Sequence, residues 1–305
     1  MNNTDFKKTL FDVNFISTII LTVIGAIGNL LVIFVFTRPQ FLKVSMFRYL
    51  IVATISNTIN LLANWPSVYP DFFYVNKLSI SCKIFYYFFY VPYQVSPWIL
   101  SLTSIDRYLK VKYPTTLQFR NNFKYQLMAI IGIIVLISLI NIPIYIYHDV
   151  EANNGCLTTD NTVQVYLDIL NALLGVIIPF VIMAVTTFLI GHELIKKKKN
   201  LKQENKKRFE RDLNLIKTLL IMDSYFLLLN LPYCIYMIAC DLLNINAFDT
   251  LTLYIVCILT YIFSSCDFFI FIIFNKLFRN YFISIIKGCQ MKQHVESKPD
   301  NFTDL

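Results

Sequence analysis

Residues 13–37 read VNFISTIILTVIGAIGNLLVIFVFT, a run of 25 residues without Lys, Arg, Asp or Glu. A helix needs about 20 apolar residues to cross the hydrocarbon core of a bilayer, so this stretch can span a membrane. The whole chain has the same character, because 56% of its 305 residues are hydrophobic and only 15% are charged. Soluble domains average roughly 25% charged residues, so the composition excludes an ordinary soluble protein and predicts a helical membrane protein.

Six more apolar stretches follow, and we number all seven in chain order as spans 1 to 7. Spans 2 to 5 contain no charged residue and cover residues 49–70, 84–105, 125–147 and 169–191. Spans 6 and 7, residues 218–240 and 250–275, each contain a single acid, Asp223 and Asp267 respectively. We therefore predict an all-α membrane protein, a seven-transmembrane helix bundle at residues 13–275.

Shorter segments flank the predicted bundle. Residues 1–12 precede it, residues 276–288 form a short amphipathic helix on the membrane surface, and residues 289–305 form a tail. If the N-terminus is outside, the inner segments hold 23 of the 27 Lys and Arg residues and the outer segments hold only 4. Basic residues favour the cytoplasmic side, so we predict an extracellular N-terminus and a cytoplasmic tail. The same asymmetry explains the net charge of +8 without a nucleic-acid partner.

Three of the seven cysteines carry a specific hypothesis. Cys82 at the outer start of span 3 and Cys156 after span 4 both face an oxidising compartment, where a disulfide persists. We therefore expect these two residues to be joined. Cys289 follows the basic, amphipathic segment just inside the membrane, which favours palmitoylation, with a plain free thiol as the alternative.

Charged residues also mark the inner end of span 3. From Cys82 to Asp106 is 24 residues, or about 36 Å of helix, which is enough to cross the membrane. The triplet Asp106-Arg107-Tyr108 is therefore expected at the inner mouth of the bundle. Such a cluster could also be a merely solvated helix end.

These features, taken with others in the same order, resemble the rhodopsin-like (class A) family of G-protein-coupled receptors over nearly the whole chain. The matching motifs are Gly28-Asn29-Leu30-Leu31-Val32, Pro66, Asp106-Arg107-Tyr108, the pair Cys82 and Cys156, Pro179, and Leu231-Pro232-Tyr233. The resemblance implies a plasma-membrane receptor that passes the binding of an extracellular ligand to a cytoplasmic heterotrimeric G protein. It implies neither an enzyme nor a cofactor, and the chain shows no phosphate-binding loop or nucleophile elbow.

Several family positions are altered in this divergent sequence. Span 2 carries Asn57 where the family usually has an acid, and residues 267–271 read DFFIF where it usually reads Asn-Pro-x-x-Tyr. The acid has moved from span 2 to span 7, and a buried carboxylate must find partners or become neutral. We therefore predict a polar cluster of Asn29, Asn57, Ser96 and Asp267. The alternatives are that Asp267 faces a water pocket or lies beside a sodium ion.

The resemblance also places a ligand pocket at the outer half of the bundle. Phe89 stands where receptors for amines carry an acid, which disfavours a biogenic amine. The other candidate ligand-binding residues at this depth are Asn64, Tyr93, Gln94, Asp168, Asn171, Tyr233, Tyr236 and Tyr261. An acidic outer rim over a polar floor suits a basic peptide, although outer loops are also acidic simply because basic residues are excluded from them.

Our best interpretation of the ligand is a neuropeptide. An orphan chemosensory or lipid receptor of the same fold is the first alternative. A helical channel or transporter is the alternative of a different class, but it would need ionisable residues along a path or paired broken helices.

The inner face carries the predicted activation switch, and its members are Asp106, Arg107, Tyr108, Asp212, Asn230, Pro232, Asp267 and Phe271. Asp106 should hold Arg107 locally. Asp212 lies 20 residues before Pro232, about 30 Å down span 6, where Arg107 emerges. We therefore predict a bridge between Arg107 and Asp212, with pairing of Asp212 to basic residues on its own helix as the alternative. The Lys196–Lys199 run after span 5 could meet a G protein or anionic lipids.

Overall fold

The computed structural model describes residues 3–63, 77–113, 123–151, 155–199, 206–243 and 251–287. The helices of spans 1 to 4 are Asn3–Phe36, Ser45–Ala63, Ser79–Lys112 and Phe123–Ile140, the last continued by Ile142–Tyr147. Span 5 consists of Asn161–Ala172, a π-helical turn at Leu173–Ile177, and Ile178–Lys199. Span 6 is Lys206–Leu243, and span 7 is Leu251–Ser265 followed by Asp267–Phe274. Short helices at Pro39–Leu42 and Lys276–Ile286 lie between spans 1 and 2 and after span 7.

The bundle is the predicted one, with one addition. Strands β1 (His148–Glu151) and β2 (Gly155–Thr158) form an antiparallel hairpin in which Val150 pairs with Cys156. This hairpin was not predicted, because each strand has only 4 residues and no alternating pattern of apolar side chains.

Span 3 is the central helix. Among the described helices, five single ones and the bent pair of span 7 are long and apolar enough to cross a membrane, whereas Ser79–Lys112 is long but more polar. This helix packs against spans 2, 4 and 5 and against β1. Its buried polar residues, which include Gln94, Ser96, Ser101, Thr103 and Ser104, therefore face protein and not lipid. Polar groups at this depth find hydrogen-bond partners on neighbouring helices.

The periphery of the bundle is apolar and exposed, as expected for a lipid-facing surface. Span 4 is the clearest case, with Met128 68% and Leu139 57% exposed. In contrast, span 1 approaches its neighbours so closely that a side chain at Gly25 would lie 2.7 Å from Leu61 and 2.8 Å from the backbone of Ser265. Glycine therefore permits the contact among spans 1, 2 and 7.

An aromatic cluster closes the inner end of spans 1, 2 and 7. The ring of Phe36 lies 4.8 Å from that of Phe47 and 5.0 Å from that of Phe271, and Phe278 packs on the same ring at 5.5 Å. The helix Lys276–Ile286 begins here, because the side chain of Asn275 accepts a hydrogen bond from the Phe278 backbone N–H at 3.0 Å. This helix buries Phe278 while Leu277 and Ile286 are exposed, an amphipathic arrangement that suits a membrane surface.

A proline follows the π-helical turn of span 5. Within the turn, the Ile178 N–H donates to the carbonyl of Leu173, five residues earlier. The carbonyl of Leu174 would need the N–H of residue 179 in the same pattern, but Pro179 has none. The indole of Trp98 on span 3 donates to that carbonyl at 2.8 Å, so a side chain from the central helix replaces the missing backbone bond.

Candidate functional site

The outer end of span 3 is tied to the hairpin by a disulfide. Cys82 and Cys156 are bonded, with their Cα atoms 5.6 Å apart, which confirms the predicted pair. The hairpin is also held by an ion pair between Lys83 and Asp149 at 3.5 Å. The hairpin is therefore fixed to the end of span 3 by a disulfide and an ion pair.

His148 packs the base of the hairpin onto span 3. Its ring lies 4.3 Å from the ring of Tyr86, and its Nδ1 is 3.0 Å from the carbonyl oxygen of Ile144. Its Nε2 is 3.3 Å from the hydroxyl of Thr158 on β2. Burial lowers the pKa of His148 to about 4, because the protonated ring would lose its hydration, and the bond to Ile144 only partly opposes this effect.

A pocket opens at the same end of the bundle. Its cavity volume is about 20 Å³, and it is bordered by residues from spans 2, 3, 5, 6 and 7. The lining residues are Asn60, Phe89, Tyr93, Asn171, Tyr233, Cys257, Thr260 and Tyr261. Phe89, Tyr93, Asn171, Tyr233 and Tyr261 were among the predicted ligand-binding residues. That they bind a ligand stays a prediction.

The structure assigns Gln94 to a different role. Gln94 is only 1% exposed, and its amide donates to the Asn141 oxygen at 3.3 Å and to the Asn171 oxygen at 3.1 Å. Asn141 donates back to Gln94 at 2.8 Å. Gln94 thus connects spans 3, 4 and 5 and does not line the pocket, and its contact with a ligand stays a prediction.

The remaining predicted residues lie around the pocket or outside the described part. Asp168 is 5% exposed and accepts a hydrogen bond from Gln164 at 2.7 Å. Tyr236 is half-buried on span 6 and does not line the pocket. Asn64 lies outside the described residues.

Three lining residues were missed, although their spacing could have indicated them. Asn60 lies one helical turn before Asn64, and Cys257 lies one turn before Tyr261. Thr260 is adjacent to Tyr261 and reaches the pocket beside it. Cys257 and Thr260 were not predicted, because a thiol and a hydroxyl within an apolar span carry neither a charge nor a ring that marks a ligand contact.

The predicted polar cluster forms in part. Asn57 donates to the Asp267 carboxylate at 2.9 Å, and Thr54 adds a second hydrogen bond to the same group. Asn29 instead donates to Thr58 at 3.2 Å and to the carbonyl of Ser264 at 3.1 Å. These two donors compensate part of the hydration that the carboxylate loses on burial, and a sodium ion beside Asp267 stays an alternative prediction.

Ser96 does not reach Asp267 in this structure. Its hydroxyl is buried and makes no hydrogen bond to any described residue. Its place in the cluster therefore stays a prediction.

The inner end of span 3 forms a charged cluster with span 2. The Asp106 carboxylate accepts a hydrogen bond from Ser45 at 2.5 Å and pairs with Lys110 at 3.2 Å. Lys110 also hydrogen-bonds Ser45. Arg107 is 5% exposed beside this cluster, and Lys112 donates to the hydroxyl of Tyr108 at 2.9 Å.

The other switch positions lie on spans 6 and 7. Asn230 is fully buried and donates to the carbonyl of Phe226 at 2.9 Å, and Pro232 lies inside the same helix. Phe271 is buried in the aromatic cluster at the inner end. The side chain of Asp212 lies outside the described part of the chain, so its bridge to Arg107 stays a prediction, as does palmitoylation of Cys289.

Two contacts between spans were not predicted. Asp223, the single acid of span 6, is buried and accepts a hydrogen bond from Thr187 of span 5 at 2.9 Å. At the inner end of span 5, the ammonium of Lys197 also donates to the carbonyl of Val111 at the end of span 3. Part of the Lys196–Lys199 run therefore has a partner inside the protein.

Comparison with known proteins gives the same family. The family model described as "7 transmembrane receptor (rhodopsin family)" matches residues 28–292. The type-1 angiotensin II receptor of Meleagris gallopavo is 25% identical over 291 residues, covering 88% of this chain and 79% of that receptor. The receptor of the same name from Gallus gallus gives equal values.

A third relative extends the match. Type-1 angiotensin II receptor A of Xenopus laevis is 22% identical over 305 residues, covering 93% of this chain and 82% of that receptor. The family model covers most of the chain and coincides with the membrane bundle, the outer disulfide and the Asp106-Arg107-Tyr108 triplet. The chain belongs to the rhodopsin family of seven-transmembrane receptors, which are signal-transducing proteins of the membrane and not enzymes.

Proposed function

We propose that this receptor binds an extracellular peptide, of the neuropeptide class, and passes the binding to a heterotrimeric G protein at its cytoplasmic face. The observation that carries the proposal is the pocket formed by five spans at the end of the bundle that bears the disulfide. The relatives support a peptide ligand, because each is named as a receptor for angiotensin II, a peptide hormone. Phe89 in the pocket stands at the position where receptors for amines carry an acid, which supports a ligand other than a biogenic amine.

The proposed orientation places the pocket outside the cell. The 23 to 4 distribution of Lys and Arg between the two sides of the bundle supports an extracellular N-terminus. The basic segments after span 5 and before span 6 then face the cytoplasm, where they would meet a G protein. They would also attract anionic lipids, at about 1 kcal/mol for each basic residue close to the surface.

Transmission through the bundle requires two arrangements, one of which the ligand binds more tightly. Tyr233 lines the pocket and follows Pro232, where the span 6 helix lacks one backbone hydrogen bond. Further inward, Asp223 joins span 6 to Thr187 of span 5. A ligand that displaces Tyr233 would therefore bend span 6 at Pro232 and strain the hydrogen bond between Asp223 and Thr187. This bend would move the inner end of span 6 and so open or close the inner face of the bundle.

The test is a screen of amidated and free peptides, with amines, lipids and odorants as comparison sets, on cells that display the receptor. A second-messenger response to a peptide supports the proposal. The response should fall at least tenfold in potency in Tyr261→Ala, which removes a pocket side chain. Phe188→Ala is the matched control, because Phe188 is 75% exposed on the outside of span 5. A response to a lipid or odorant alone, at equal surface expression, would favour the chemosensory or lipid alternative.

A further inference from the structure

We propose that the pocket receives an uncharged carbonyl group of the ligand, of the carboxamide class, and that the hydroxyls of Tyr93, Tyr233 and Tyr261 are the hydrogen-bond donors to it. The inference rests on the proposed peptide receptor and names the chemical group that enters its pocket. It depends on which donors and acceptors in the pocket wall are already paired within the protein.

The wall of the pocket is uncharged. Its eight described lining residues are four aromatic rings, two amides, a hydroxyl and a thiol, with no Asp, Glu, Lys, Arg or His among them. The cavity volume of about 20 Å³ is close to the 10–15 Å³ or so that one water-sized group needs, so a small group can enter but its hydration shell cannot. A charged group would lose its hydration there and meet no opposite charge, which favours an uncharged one.

The amide acceptors of the wall are already paired. The side-chain oxygen of Asn60 accepts a hydrogen bond from the hydroxyl of Ser264 at 3.3 Å. The side-chain oxygen of Asn171 accepts one from the amide of Gln94 at 3.1 Å. A ligand group that enters as a donor would therefore have to share these oxygens with donors of the protein.

The phenol donors of the wall have no such partners. The hydroxyl of Tyr93 is buried and makes no hydrogen bond to any described residue, although the thiol of Cys234, a weak hydrogen-bonding group, lies beside it. Within the described part of the chain, the hydroxyls of Tyr233 and Tyr261 make no hydrogen bond either. A buried donor without an acceptor costs free energy, so an acceptor on the ligand would stabilise the complex.

The three phenols converge, although they come from spans 3, 6 and 7. Tyr93, Tyr233 and Tyr261 each lie close enough to the thiol of Cys257 to interact with it electrostatically. The negative charge of Asp168 also acts on Tyr233, so a carboxylate entering the pocket would be repelled. A carbonyl oxygen has the same acceptor capacity without the charge, and it therefore fits this wall better than a carboxylate does.

Protection of Cys257 from labelling tests the proposal without a known ligand. Methyl methanethiosulfonate, a small uncharged thiol reagent, is applied to the intact receptor, and the labelling rate of Cys257 is measured by mass spectrometry. Cys257 lines the pocket, and the Cys257→Ser receptor identifies the signal of this thiol. The competitors are benzamide, benzoate and benzamidinium, which have nearly the same shape but are neutral, negative and positive.

We expect half-protection by benzamide at a concentration about tenfold below that of either charged competitor. Tyr233→Phe and Tyr261→Phe should each raise this benzamide concentration about threefold to tenfold, because each variant loses a donor but retains the ring. Half-protection is compared with the unprotected rate of the same variant, and either variant suffices if the other does not reach the surface. Tyr166→Phe is the matched control, because Tyr166 is 56% exposed and lies outside the pocket wall.

Three results would overturn the carbonyl site. The first is benzamide that protects no better than benzoate or benzamidinium, and the second is unchanged protection by benzamide in the phenylalanine variants. The third is failure of the reagent to label Cys257, because the carbonyl group must pass the same opening. None of these measurements needs a peptide response, so a failed peptide screen rejects a different proposal. In that screen, amidated and free-acid forms of one sequence distinguish a C-terminal carboxamide from a side-chain carboxamide.

Discussion

Asn57 of span 2 donates a hydrogen bond to the carboxylate of Asp267 of span 7 at 2.9 Å, and the two residues are 4% and 3% exposed. Position 57 holds an amide where the family usually has an acid, and position 267 holds an acid where the family usually has an asparagine. The acid and the amide have thus exchanged spans, but the contact between spans 2 and 7 still consists of one acid and one amide. A hydrogen-bonded pair needs one donor and one acceptor, and either arrangement supplies them.

The first prediction tests this exchange. Asn57→Asp would set two carboxyl groups at hydrogen-bond distance, so one must take up a proton or both must move apart. We expect a loss of about 1–3 kcal/mol in stability and a matching loss of receptor at the surface. The double variant Asn57→Asp, Asp267→Asn should recover most of that loss, measured as the melting temperature in detergent. A double variant no better than Asn57→Asp would show that the exchange is not equivalent.

The second prediction concerns the outer disulfide. Cys82→Ser removes the covalent link between span 3 and the hairpin, which typically costs about 2–5 kcal/mol. We expect a large reduction of folded receptor at the surface, whereas Cys266→Ser, at a cysteine without a disulfide, should retain it. Peptide mapping under non-reducing conditions checks the pair directly, and finding both thiols free in the native receptor would contradict it.

The third prediction uses the bond between Trp98 and the Leu174 carbonyl. Trp98→Phe retains a ring but removes the donor, and a buried carbonyl without a partner costs about 1–3 kcal/mol. Pro179→Ala restores a backbone N–H at residue 179, which can reach that carbonyl instead. We therefore expect Trp98→Phe to lower the melting temperature less in the Pro179→Ala background. Equal losses in both backgrounds would mean that the cost comes from lost packing of the indole alone.

The fourth prediction is a dependence of stability on pH at the hairpin. Burial lowers the pKa of His148 from 6.5 to about 4, so the folded protein binds fewer protons than the unfolded chain between these values. The contribution of His148 to stability is thus complete above pH 6.5 and is lost as the pH falls toward 4. The whole shift corresponds to about 3 kcal/mol.

A pair of histidine variants separates this effect from general acid denaturation. His148→Gln should flatten the fall in melting temperature between about pH 7 and pH 4.5. His192→Gln, at an exposed histidine near the inner end of span 5, should leave the fall unchanged. A native receptor whose melting temperature is constant over this range would contradict the assigned role.

The bundle could be predicted from the sequence because each span is a continuous apolar run, and membrane thickness fixes its length. The pairs Cys82–Cys156 and Asn57–Asp267 could be predicted too, because both follow from depth and sidedness. The role of Gln94 could not, because its partners Asn141 and Asn171 lie on other spans. Which side chains meet depends on the rotation of each helix about its axis, and a long apolar run does not specify this rotation.

The last prediction concerns the inner gate. The Asp106 carboxylate accepts a hydrogen bond from Ser45 and pairs with Lys110. Arg107 therefore has to share this carboxylate with two other partners. A second acid near Arg107 would stabilise the guanidinium at the closed inner mouth, and Asp212 lies at that depth on span 6. Asp212→Asn should therefore raise signalling without ligand, at matched surface expression. Exposed ion pairs contribute about 0–1 kcal/mol, so the expected rise in basal signalling is up to about fivefold.

Glu210→Gln is the control for this variant. It removes the same charge at an exposed acid, and residues two apart on a helix do not share a face. An unchanged basal signal in Asp212→Asn, with the ligand response intact, would exclude the bridge.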